Sequence, residues 1–77
     1  MENLDNLIHM VDVCNRITEL REGCGMTQED LAHKASIDLR TLQHAENLKL
    51  PKKIEIWICL AEALDVTLDF LLFGKEN

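Results

Sequence analysis

Only four residues in this chain are strong helix breakers: Gly23, Gly25, Pro51 and Gly74. The long stretches between them repeat apolar residues at intervals of three and four. None alternates Val, Thr or Tyr as a half-buried strand would. The chain is therefore expected to be all-α. At 77 residues it makes one domain, near the lower size limit for a self-sufficient core. Thirteen Leu and six Ile, within 47% apolar residues, are enough to build that core with only Trp57, Phe70 and Phe73 as aromatics.

Several function classes drop out on length and composition. The longest unbroken apolar run is six residues, 56–61, far short of a membrane span. Glu2 and Asp5 stand where a secretory signal carries positive charge, so no export signal is expected and the location is read as cytoplasmic. Three cysteines, Cys14, Cys24 and Cys59, are odd in number and lack C-x-x-C spacing, which argues for reduced thiols rather than a disulfide scaffold. Cys14 and Cys24 read as small buried hydrophobes, and no metal-ligand spacing turns them, with His33 and His44, into a metal site. No metal, cofactor, or nucleophile paired with a base is expected, so an enzyme is not. A binding module is the default at this size.

Charge is distributed unevenly. Fourteen acidic against eight basic residues leave a net −6, which as a whole argues against nucleic acid. Residues 33–53 run the other way: Lys34, Arg40, Lys49, Lys52 and Lys53 oppose only Asp38 and Glu46, a net of +3. His33 and His44 lie in the same window. Positive charge confined to one short segment is the footprint of a localised anion-binding face.

The helices follow from periodicity and caps. A first helix is expected from about residue 3 or 5 to 22, with Leu7, Val11, Cys14, Ile17 and Leu20 inward and the Gly23/Gly25 pair ending it. Thr27 N-caps a second helix, and Asp30 three residues on completes a shortened capping box. Leu31, Ala32 and Ala35 form its buried side. After Ser36 and Ile37, Asp38 is expected to cap a third helix from 39 to 46 or 47, with Leu42 and Ala45 inward. Pro51 holds the following segment as a loop. A fourth helix runs from about 53 to 64, with Ile54, Trp57, Ile58, Ala61 and Leu64 toward the core. Thr67 caps a short fifth helix through 73, and Gly74 ends it.

Residues 28–47, QEDLAHKASIDLRTLQHAEN, resemble the twenty-residue helix-turn-helix unit of the XRE family, the Cro and phage-repressor type. Leu31, Ala35, Ile37, Leu42 and Ala45 occupy that pattern's apolar positions, and Ala32 its small position where the two helices cross. RITELR at 16–21 resembles the family's first-helix signature, and LAEALDVTLDFL at 60–71 its fourth and fifth helices. The resemblance spans about residues 13–74. It implies a five-helix, phage-repressor-like DNA-binding domain with the helix-turn-helix at helices two and three, residues 1–12 extending the first helix. Two positions depart from the pattern: Ser36 and Leu48 stand where the family usually places Gly.

By the same resemblance, Leu39, Arg40, Thr41 and His44 are the base-reading positions. Arg40 suits a bidentate contact to guanine, and Leu39 and Thr41 suit a thymine methyl. Thr27 and Gln28 at the start of helix two, with Asn47, Lys49, Lys52 and Lys53 beyond helix three, suit backbone phosphates. The family pairs the residues matching Arg21 and Glu46 as a buried, structural ion pair. Apolar Ile56, Cys59 and Ala63 line a separate stripe on helix four, a candidate homodimer seam; Leu4, Leu7, Ile8 and Met10 form a second apolar group. The expected function is a sequence-specific transcriptional regulator of prokaryotic or phage type, a repressor binding double-stranded DNA as a dimer. A rival reading, a helix-turn-helix module that binds a protein partner as an antirepressor or antitoxin does, rests on the −6 charge and on Leu39, Leu48 and Leu50.

Overall fold

A computed structural model describes residues 9–74. Among these, five helices follow one another with no strand: α1 (Met10–Gly23), α2 (Gln28–Ala35), α3 (Leu39–Glu46), α4 (Ile54–Leu64) and α5 (Leu68–Phe73). The expected start of the first helix at residue 3 or 5, its inward Leu7, and Leu4 and Ile8 of the second apolar group lie outside the described residues.

Local chemistry sets the boundaries. Thr27 Oγ1 accepts the Asp30 N–H at 3.1 Å while Asp30 Oδ2 accepts the Thr27 N–H at 3.0 Å, a complete reciprocal box that starts α2. Thr67 Oγ1 accepts the Phe70 N–H at 3.0 Å and starts α5. Asp38 occupies the N-cap position of α3, but its side chain makes no capping bond. Three helices close through a left-handed residue: Ser36 after α2 (φ 57°), Asp65 after α4 (φ 58°) and Gly74 after α5 (φ 69°). Gly74 is fixed twice over. A Cβ there would stand 2.7 Å from Arg16 Nη2, and Arg16 Nη1 donates to the Leu71 carbonyl at 2.9 Å, filling an acceptor that the end of α5 leaves open.

Every helix contributes to one core. Val13 and Ile17 from α1, Leu31 from α2, Leu42 from α3, Leu60 from α4 and Leu71 from α5 are all fully buried. Each such residue contributes roughly 1.5–3 kcal/mol by leaving water. Trp57 joins them and donates its indole N–H to the Pro51 carbonyl at 2.9 Å, tying the loop of residues 47–53 to α4.

The inward faces differ from expectation at two places. Val11 is exposed, since α1 turns only Val13, Cys14 and Ile17 fully inward. On α4 the buried set is Trp57, Leu60, Ala61, Ala63 and Leu64, with Ile56 packed at its edge. Because α4 packs against both α2 and α5, its buried arc is wide and runs from Ala61 round to Ala63 and Ile56. Ile54 and Ile58 fall beyond the other edge and are 53% and 43% exposed. Ala63, expected in a surface seam, is therefore core, and Ile56 and Cys59 are half-buried. Of the two cysteines expected to be buried, Cys14 is and Cys24 is not.

Candidate nucleic-acid interface

The second helix-turn-helix element, α3, has two sharply different sides. Leu42 and Ala45 are completely buried, which pins the helix against α1 and α2. Arg40, Gln43, His44 and Asn47 are exposed, and their spacing of three and four places them on one outward stripe. Thr41 is half-buried beside it. Leu39 is half-buried and packs on the core, so it offers only an edge to any ligand. Gln43 is the residue that family positions passed over. The signal was in the spacing, because it stands three residues from Arg40 with the buried Leu42 and Ala45 on the other side.

Two clusters of donors flank that stripe. At the start of α2, Thr27 is exposed and Gln28 half-buried. Beyond α3, Lys49, Lys52 and Lys53 are all exposed. The segment that carries Lys49 is tightly closed: the His44 carbonyl accepts both the Asn47 N–H at 3.0 Å and the Lys49 N–H at 2.9 Å. Asn47 turns its side-chain amide back onto the Gln43 carbonyl at 2.9 Å. Leu48 adopts φ 68°, and its N–H is donated to Cys14 Sγ at 3.2 Å. Backbone donors of residues 47–49 are thus satisfied internally, so an anion at this end meets side chains. Burial pushes the Cys14 thiol pKa up, the bond from Leu48 opposing it, so at neutral pH the sulfur is a protonated, uncharged acceptor. Lys34 lies elsewhere. It lines a shallow cleft of about 340 Å³ between α2 and α4 with Ser36, Cys59 and Glu62.

The orientation of α3 is locked by charge. Arg21 Nε donates to Glu46 Oε2 at 2.9 Å and Arg21 Nη2 to Oε1 at 3.1 Å, a two-pronged pair with side chains 11% and 5% exposed. Arg21 Nη1 also donates to the Met26 carbonyl at 2.9 Å, so the same guanidinium holds the turn into α2. The hydrogen bond to Glu46 raises the already high pKa of this guanidinium. Thr18, which sequence reasoning missed, donates to Glu46 Oε1 at 3.0 Å, and Gln28 Nε2 donates to the same oxygen at 3.2 Å. Removing one member of a buried pair typically costs ~3–5 kcal/mol, because the other charge is stranded. The pair joins α1 to the last residue of α3 and fixes the angle at which the stripe faces solvent.

This arrangement offers one guanidinium and several amide and imidazole donors on a helix face, bracketed by a helix N-terminus and three ammonium groups. It is chemistry suited to a phosphate-flanked groove. Among the described residues no helix is long and apolar enough to cross a membrane. A helix-turn-helix family model matches residues 17–71. Among solved structures, the restriction-modification controller protein C.AhdI from Aeromonas hydrophila is similar. Its TM-score is 0.75 at 28% identity, over 82% of this chain and 96% of that one. The wild-type restriction-modification controller protein C.Esp1396I gives 0.71 at 26% identity, over 88% of this chain and 95% of its own. No curated protein matches the sequence.

Proposed function

This chain belongs to the XRE-type helix-turn-helix family and is a DNA-binding transcriptional regulator, and from that premise we propose that it represses by occupying an operator as a homodimer. The observation that carries this reading is the two-sidedness of α3, with Leu42 and Ala45 fully buried and Arg40, Gln43 and His44 turned outward. A helix so held can enter a major groove with Arg40 against guanine O6 and N7. Thr27 and Gln28 hold one phosphate cluster, and Lys49, Lys52 and Lys53 the other. Thr41 and the exposed edge of Leu39 contact thymine methyls. Similarity to controller proteins supports gene control as the role.

Dimerisation is supported by exposed Ile54 and Ile58, one turn apart on α4. They replace Ile56, Cys59 and Ala63 as the seam, and their helix begins next to Lys52 and Lys53, so pairing would set two basic windows on one assembly. With Lys49 and one of Lys52 and Lys53 on phosphate at a time, each subunit displaces about two counterions. A dimer then shows a log–log salt slope of about −3 to −5.

Selection of DNA from a random pool, followed by fluorescence anisotropy over a salt series, tests the proposal. Arg40→Ala should weaken the selected site by about tenfold or more while barely changing the slope, since a base contact releases few ions. The double change Lys52→Ala with Lys53→Ala should weaken all sequences alike and flatten the slope. A pool in which no sequence is enriched even at low salt would falsify operator binding.

A further inference from the structure

The Glu46 carboxylate gathers donors from two other helices. Its Oε1 alone accepts from Arg21 Nη2, Thr18 Oγ1 and Gln28 Nε2, at 3.1, 3.0 and 3.2 Å, while Oε2 takes Arg21 Nε at 2.9 Å. The ion pair needs only Arg21, so the contact from Gln28 calls for a separate account. Gln28 is the first residue of α2 and Glu46 the last of α3, and the bond between them joins the two ends of the helix-turn-helix.

Amide chemistry supplies the account. A Gln side chain presents two hydrogens on nitrogen at one end and an acceptor oxygen at the other. A phosphate only accepts, so the nitrogen must face it. A carboxylate also only accepts, so Glu46 demands the same end. Both demands are met at once, because one amide hydrogen goes to Glu46 and the second remains for an anion outside. Without Glu46 the amide is free to swing away or to turn its oxygen outward, and binding must first order it before the bond to phosphate forms. We infer that Glu46 is a positioning residue for DNA binding: it sets the Gln28 amide nitrogen-outward and thereby couples the phosphate clamp on α2 to the recognition helix. The inference rests on the reading of Gln28 as a phosphate contact.

A double-mutant cycle on the dimeric protein and a selected DNA site tests it, with circular dichroism confirming that each variant is folded at the assay temperature. Gln28→Met, which keeps length and removes the donors, should weaken binding by about tenfold in the parent protein. In a Glu46→Met background, which keeps length and removes both acceptor oxygens, the same change should cost less than about threefold, because the amide is no longer held toward the phosphate. Equal losses in both backgrounds would make Glu46 merely structural and overturn the inference. No loss in either would remove the phosphate contact itself, a different failure. Should Glu46→Met not fold, the Gln28 side-chain amide in the unaltered protein decides by nitrogen-15 NMR. Its two hydrogens, inequivalent in any primary amide, should respond unequally, with only the outer one shifting on DNA addition. Two hydrogens that shift alike would refute the positioning role.

Discussion

Leu48 holds a left-handed backbone, φ 68°, with a side chain that is 49% exposed. For an L-residue this conformation costs roughly 1–2 kcal/mol, and half-exposed packing returns little of it. Its N–H bond to Cys14 Sγ belongs to the backbone and would survive any substitution but proline. Leu48→Gly should therefore stabilise the domain by about 0.5–1 kcal/mol, the relief of strain less the extra freedom glycine gives the unfolded chain. In a domain of this size the melting temperature would rise by about 3–6 °C. A fall on thermal melting would show that the leucine side chain holds the loop by contacts that outweigh the strain. The position was legible in sequence, because the family pattern wants glycine there, and so was the strain at Ser36 (φ 57°). The thiol that accepts the Leu48 N–H was not legible. It lies 34 residues away on another helix, and no spacing rule connects the two.

The two threonine caps were read correctly and the Asp38 cap was not, since its side chain makes no capping bond. Thr27 with Asp30 and Thr67 both cap as expected, since a side chain reaching three residues along its own chain needs no tertiary information. The inward face of α4 was right at Trp57, Ala61 and Leu64 and wrong at Ile54 and Ile58, because its periodicity allows two stripes, and only the neighbours α2 and α5 choose between them. That choice buried Ala63 and exposed Ile54 and Ile58. The α2 box has a consequence in acid. Hydrogen bonds from the Thr27 backbone and then its side chain hold the Asp30 carboxyl pKa below its ordinary value. A carboxyl depressed on folding contributes stability that is present above its unfolded pKa, near 4, and lost as pH falls through the folded one. Thermal melts between about pH 5 and pH 2 should thus fall less steeply for Asp30→Ala than for the parent. Parallel curves would mean that the box does not form in solution.

For the molecule as a whole, the net charge of −6 and the single basic window pull in opposite directions. Net repulsion from a duplex gives a reason for two copies to act together, since one window alone makes few phosphate contacts. On the proposed pairing through Ile54 and Ile58, Ile58→Glu should retain helical content yet shift a dimer toward monomer in sedimentation equilibrium, by placing a charge in an apolar seam. An unchanged dimer would move the seam to the exposed Met10, Val11 or Phe73. The fold class, the ion pair and the basic window were readable from sequence; the burial of Ala63, expected on a surface stripe, depends on which helices pack on α4 and was not. The clasp of Arg16 on the Leu71 carbonyl bridges 55 positions, whereas the Glu46 network closes over at most 28. On the ribosome, where residues appear in order, the DNA-reading half can thus assemble while the last helix is still unmade. Arg16 must then wait, its guanidinium in water, until residue 71 has emerged.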